Sequence, residues 1–265
     1  MAASTPVRIE PQFVERVWGC TDLRPLYGVT DRRIGEVWFP AGGLLIKFLF
    51  TSQALSVQVH PDDDYARRHE NSAGKTEMWY IVRADAGARI ALGFRESVDR
   101  DVARQAAGDG TIENLLAWHE PAAGDTYFTA AGTVHALGAG LLVCEIQQNS
   151  DVTYRLYDYS RGRALHLDRG MEVADLGPHP GRSEPVRMAD GGLELARCTH
   201  FATEFRQGSE PLTCAPGYLI VLEGVGQIGG NRFCAGEVWR LDRPDLLTPT
   251  GPVSWLRTYV PDAHA

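Results

Sequence analysis

Gln58, His60 and Glu77 are the first residues in this sequence whose types and spacing suit chemistry. In LSVQVH, residues 55–60, the apolar Leu55, Val57 and Val59 alternate with Ser56, Gln58 and His60. A strand turns successive side chains to opposite faces, so this spacing predicts Ser56, Gln58 and His60 on one side. Glu77 opens a second strand-like run, EMWYIV. Two nitrogen or oxygen ligands at i and i+2, with a carboxylate entering from the next strand, form three corners of a metal site. Lys75 lies two residues before Glu77, on the same face if the strand already runs there. Pro61 and the acidic triplet Asp62–Asp64 mark a strand end, followed by a short helix through Arg68.

The elements that must position these residues belong to a chain of 265 residues, enough for one large domain or two small ones. No apolar run approaches the roughly 18 residues of a membrane span. The N-terminus lacks a charged-then-apolar signal pattern, which predicts a cytoplasmic protein. Five scattered cysteines without a CxxC pair argue against disulfides and cysteine-only metal sites. A net charge of −8 with no basic block argues against nucleic acid as a partner. Of the 26 basic residues only Lys47 and Lys75 are lysines. A compact ammonium on a flexible stem is not equivalent to a guanidinium, so these two positions draw notice.

Most of the chain reads as strands. IGEVWFPAGGLLIKFLF (34–50) gives two β-runs broken at Pro40–Gly43, and Lys47 alone interrupts the second. A lone lysine in such a run reads first as an edge or snorkelling residue. Residues 95–118 are the one helical region, VARQAA and then TIENLLAW with Thr111 as N-cap. Strands return over 124–148 and 151–160, and Val173–Arg187 reads as a linker. Beyond Leu193 all is short strands. There YLIVLEGVGQI (218–228) echoes WYIVRADAGARI (79–90), and GEVWRL (236–241) echoes GDTYFT (124–129). Pro216 and Leu247 fall opposite Glu77 and His135, so the second copy lacks ligands. The expected fold is all-β, two related β-barrels with a short helical segment near 95–118. Residues 1–175 would carry the metal-binding barrel and 188–265 a degenerate second one.

GDTYFTAAGTVHALGAG resembles the second cupin motif in spacing, with Gly124, Gly132 and His135 in place and Ala130 and Ala139 in place of the usual proline and asparagine, which implies two cupin-like jelly-roll barrels. SVQVHP, GKTEMWYI, AGTVHAL and EIQQNSDVTYRLYDY, with WG and IGEVW upstream, resemble type I phosphomannose isomerase (mannose-6-phosphate isomerase), in its short bacterial form. The resemblance covers about Val17 to Asp168 and continues faintly to the end. It implies one divalent metal ion, zinc in the family, on Gln58, His60, Glu77 and His135. It implies that Lys75, Glu145 and Arg155 face the sugar phosphate, with Lys47 and Ser56 also at pocket positions. The reaction implied is the interconversion of mannose 6-phosphate and fructose 6-phosphate through an enediol, in a monomer or homodimer. Longer members carry a histidine where this chain has Gly74.

The residues read by themselves agree. Glu145 and Arg155 flank a turn at Asn149–Asp151, which predicts adjacent strands with both side chains inward. Arginine and lysine in one pocket suit a phosphate dianion. Moving a proton between C1 and C2 needs a cation beside the oxygens and a base near the carbon. Lys75, Glu145, one of Asp62–Asp64 or a metal-bound water could be that base. A metal cupin of other chemistry, or a sugar-phosphate-binding relative without turnover, is the alternative. His69, His119, His166, His179, His200 and His264 show no ligand spacing and read as structural or surface residues.

Overall fold

The computed structural model describes residues 5–261, so His264 lies outside the described residues. Two antiparallel sheets face each other around the first barrel. One has six strands in the order Gln12–Asp22, Val29–Ala41, Leu44–Thr51, Leu141–Gln148, Glu77–Ala84 and Thr126–Thr129. The other has five, in the order Tyr154–Tyr157, Val57–Val59, His135–Leu137, Ile90–Phe94 and Leu116–His119. Between them, Leu49, Trp79, Ile81 and Val143 of the first sheet pack on Ile90, Leu92 and Leu137 of the second. The fold is cupin-like and mainly β.

All eight residues of Leu44–Thr51 are buried, because both faces of this central strand are covered. Leu44, Ile46, Phe48 and Phe50 pack against Ile220, Leu222, Val238 and Leu256 of a further, seven-stranded sheet, and against Phe201 just before its strand Ala202–Gly208. Lys47 points the other way, into the barrel, where it lines a cleft. The expectation of an edge or snorkelling lysine is therefore corrected. The strand pairs on both sides, and Lys47 is only 4% exposed.

Helices cover the outer face of the five-stranded sheet. Ala103, Ala106 and Ala107 of Arg100–Asp109 and Met171 of Leu167–Val173 lie on Val57, Val59, Ala91 and Tyr154. The Asp99 carboxylate accepts from the Asp101 and Val102 amides at the helix start, and Gly110, in the left-handed region, ends it. The expected second helix over TIENLLAW is replaced by a single 3₁₀ turn, Thr111–Asn114, and a strand, Leu116–His119. Strand pairing with Ile90–Phe94 buries Leu116 more completely than a free-standing helix could.

The remaining four-stranded sheet, Leu212–Cys214, Asp245–Pro249, Val225–Ile228 and Asn231–Cys234, belongs to the C-terminal third. With the seven-stranded sheet it encloses an apolar interior of Leu219, Val221, Phe233, Trp239, Leu247 and Trp255. The strand Val7–Ile9 pairs antiparallel with Val238–Leu241, joining the two ends of the chain in one sheet.

Candidate active site

A cleft of about 390 Å³ opens between the six- and five-stranded sheets. At its floor one ligand atom each of His60, Glu77 and His135 lies within 4.8 Å of the others, all on side chains 1% exposed. His135 pairs in register with Gln58, and Gln58 with Arg155 on its other side, so the five-stranded sheet supplies three polar side chains at one level. The six-stranded sheet supplies the others. Glu145 pairs with Lys47 on one side and Trp79 on the other, and Gln147 with Glu77.

Both histidines are oriented from behind. His60 Nδ1 lies 2.9 Å from the Val152 carbonyl oxygen, and His135 Nδ1 lies 2.9 Å from that of Thr133. A carbonyl only accepts, so each Nδ1 carries the hydrogen and each Nε2 turns its lone pair into the cluster. Burial holds both imidazoles neutral, lowering His135 and, with help from the Lys75 ammonium, lowering His60 to about 3. Glu77 Oε1 lies 3.1 Å from His60 Nε2 and from Lys75 Nζ, yet neither approach has hydrogen-bond geometry, and this buried oxygen has no hydrogen-bond partner. Burial opposes ionisation of Glu77, but Lys75 and His60 outweigh it and hold the carboxyl well below its usual range. Two inward lone pairs, that of His60 accepting from Lys75 Nζ at 3.3 Å, and a carboxylate oxygen with no hydrogen-bond partner fit a divalent cation of borderline softness. Gln58 presents its amide nitrogen to His135 Nε2 at 3.2 Å and its oxygen to Ser56 Oγ. Turning that amide over would aim the oxygen inward as a fourth ligand.

Above this floor lies a second ionic group. Lys47 Nζ donates to Glu145 Oε1 at 2.9 Å and to Gln147 Oε1. The ammonium also lies 5.2 Å from the centre of the Trp38 ring. Burial lowers the Lys47 pKa, but Glu145, Glu36 and Glu77 more than reverse this and raise it. Burial and the Glu77 charge raise Glu145, against the pull of both lysines. Arg155 is half-buried. Its Nη1 donates to the Ala164 carbonyl and its Nε, which is buried, has no partner. Glu145 and Arg155 do not stand on adjacent strands, as the turn between them suggested. They belong to different sheets and both line the one cleft.

Lys47, Ser56, Gln58, Lys75, His135, Glu145 and Arg155 thus all line the cleft or its floor. The acidic triplet does not. Asp62 caps the helix Asp63–His69, Asp63 accepts from the Gly74 amide and the Gln148 side chain, and Asp64 meets Arg67 at the surface. A Cβ on Gly74 would come within 2.4 Å of the Asp63 nitrogen, so no side chain fits before Lys75 here. Sequence reasoning passed over Trp79, Trp38, Glu36 and Arg16, which also line the cleft. Strand alternation in EMWY (77–80) and EVW (36–38) was the only signal for Trp79, Glu36 and Trp38.

No family model matches the chain. Curated relatives do. The mannose-6-phosphate isomerase of Streptococcus mutans is 37% identical over 94% of this chain and 94% of its own length. The mannose-6-phosphate isomerase ManA of Bacillus subtilis is 35% identical over 93% of each chain. The crystal structure of the Bacillus subtilis mannose 6-phosphate isomerase superposes with a TM-score of 0.85 at 26% identity, covering 97% of this chain and all of that one.

Proposed function

This chain belongs to the mannose-6-phosphate isomerase family, and we propose that it is an aldose–ketose isomerase interconverting mannose 6-phosphate and fructose 6-phosphate through an enediol. The observation that carries the reading is the gathering of one ligand atom each of His60, Glu77 and His135 within 4.8 Å of one another, beneath a cleft that Lys47, Lys75 and Arg155 line. Gln58, with its amide turned, completes a set for one divalent ion, zinc by the family resemblance. When bound, such an ion polarises the sugar oxygens and stabilises the charge of an enediolate.

The chain's own residues supply the rest. Glu145 is our choice for the group that removes the proton at C2 and returns it at C1. Its carboxyl is raised towards neutrality by burial and by Glu77, which suits a group that must both take and give a proton. Lys75, 5% exposed and beside Glu77, is placed to protonate or hydrogen-bond the adjacent oxygen. Arg155 and Lys47 bring positive charge to the walls for the phosphate, and Ser56 supplies a hydroxyl beside Gln58. The walls exclude water through Leu49, Leu55, Leu137 and Trp79.

Residues 1–175 hold every one of these side chains, and we assign the chemistry to them. Residues 188–265 are assigned a structural role. No helix among the described residues is long and apolar enough to cross a membrane, and a cytoplasmic monomer or homodimer is our reading of the setting. The test is metal analysis with a coupled assay for fructose 6-phosphate formation. Stoichiometric metal and turnover support the proposal. Metal and sugar-phosphate binding without turnover would reduce the chain to a binding relative.

A further inference from the structure

Three Glu-x-Trp units occur in this fold, and in each the indole N–H donates to the carboxylate two residues before it. Trp38 reaches Glu36 at 2.7 Å, Trp79 reaches Glu77 at 3.2 Å and Trp239 reaches Glu237 at 3.1 Å. The clip follows from strand geometry, because residues i and i+2 share a face. Only in the middle unit does the same N–H reach a second carboxylate, Glu145 Oε2 at 3.0 Å. Trp79 is 1% exposed, pairs directly with Glu145 across the sheet, and sets its ring edge-on to His135 at 5.3 Å.

We infer that Trp79 is a positioning residue which locks the metal-binding carboxylate and the proton-carrying carboxylate to one another through a shared indole N–H. The bond to Glu77 occupies Oε2 and leaves Oε1, which has no hydrogen-bond partner, turned towards His60 and the Lys75 ammonium. Trp79 thereby selects which oxygen of Glu77 meets a cation. The bond to Glu145 occupies its Oε2, while Lys47 holds Oε1. The Glu145 plane is then fixed at both ends, and its distance from the metal floor is set by one rigid ring. A side chain that touches one ligand from behind tunes affinity, and one that also holds the proton carrier couples affinity to turnover.

The inference rests on the isomerase reading for its kinetic arm only, since the metal arm needs no substrate. The experiment compares wild type with Trp79→Phe and with position 79 carrying β-(3-benzothienyl)alanine, which keeps the indole shape and replaces N–H by sulfur. Zinc affinity is read by chelator competition, and kcat and KM for mannose 6-phosphate by the coupled assay. Both variants are expected to bind zinc about tenfold or more weakly, the range typical of groups that orient metal ligands. Their kcat should fall about tenfold with KM within twofold of wild type. Adding Trp79→Phe to Glu145→Gln should slow the enzyme little further, because the indole acts through that carboxylate. Trp239→Phe removes the same clip far from the cleft and should lower thermal stability while leaving zinc affinity and kcat unchanged. If the benzothienyl variant, whose packing is intact, matches wild type in zinc affinity and kcat, Trp79 merely packs. A rise in KM alone would make it a substrate contact, and an equal loss of kcat in Trp239→Phe would reduce the effect to general destabilisation. Wild-type protein that binds zinc but lacks turnover would overturn the isomerase reading and leave the zinc arm to decide the inference.

Discussion

Lys47→Met removes the one cation that directly pairs with Glu145 Oε1 and keeps nearly the same volume in the middle of a fully buried strand. At 2.9 Å the pair has about 6 kcal/mol of Coulomb attraction for an effective dielectric near 20, most of it offset by the desolvation of both charges. Deleting one partner forfeits the attraction and keeps the desolvation, which costs about 3–5 kcal/mol in buried pairs. At roughly 2–4 °C per kcal/mol for a chain of this size, the melting point should fall by about 6–12 °C at the lower bound of that cost. The pH dependence has a definite sign. Lys47 has a raised pKa, so its contribution is present below the ordinary lysine pKa and is lost only as pH rises through the higher folded value. Glu145 has a raised pKa, so its charged form is unfavourable at neutral pH and the penalty is relieved as pH falls through the folded pKa towards the ordinary value near 4.3. The variant should therefore recover part of its deficit as pH falls from neutrality towards the ordinary carboxyl value, and Lys47→Met/Glu145→Gln should be more stable than Lys47→Met at pH 7 with a flatter pH profile. Urea unfolding of the metal-loaded proteins measures both. A double variant no more stable than the single one would refute the buried-pair account.

His135→Ala should remove most bound metal while the barrel stays folded, and wild type should hold one ion per chain. Full occupancy in the variant, or a second ion bound beyond residue 190, would count against the cluster. Arg155→Ala should lose roughly ten- to hundredfold in kcat/KM on mannose 6-phosphate and little on unphosphorylated mannose, as expected for a lost charge-assisted hydrogen bond of about 1.5–3 kcal/mol. An equal loss on both sugars would place the guanidinium on the sugar and not the phosphate. Gly74→His should lower the melting point by several degrees, because its Cβ would meet the Asp62–Asp63 backbone within 2.5 Å. An unchanged melting point would show that this loop yields freely.

The placing of Gln58 and His60 on one face was legible in the sequence because strand alternation is a local property, whereas His135 came only with the motif resemblance. Val57 and Val59 face the helices, Gln58 is left for the cleft and His60 for the buried cluster beneath it. Lys47 was misread for the complementary reason. Its apolar neighbours resemble an edge strand until one knows that Leu141–Gln148 pairs alongside and that a second sheet covers Ile46 and Phe48. The helix expected over TIENLLAW failed where pairing with Ile90–Phe94 overrode local propensity. Neither the relation of Glu145 to Arg155 across two sheets nor the double reach of Trp79 follows from spacing, since both depend on which strands become neighbours.

The strand Val7–Ile9 has a consequence for how the molecule comes into being. Its partner, Val238–Leu241, leaves the ribosome only after the whole first barrel has been made. Until then the Ile46–Phe48–Phe50 face lacks its cover of Ile220, Val238 and Leu256, so the barrel that holds the cleft must wait, sticky on one side, for its last third. A loop-closure span of this length makes slow, late-consolidating assembly the expected kinetic signature. Truncations that spare every cleft residue should still yield an aggregation-prone protein. Among the described residues the C-terminal third adds nothing to the His60, Glu77 and His135 cluster, yet it covers the apolar back of the strand that carries Lys47.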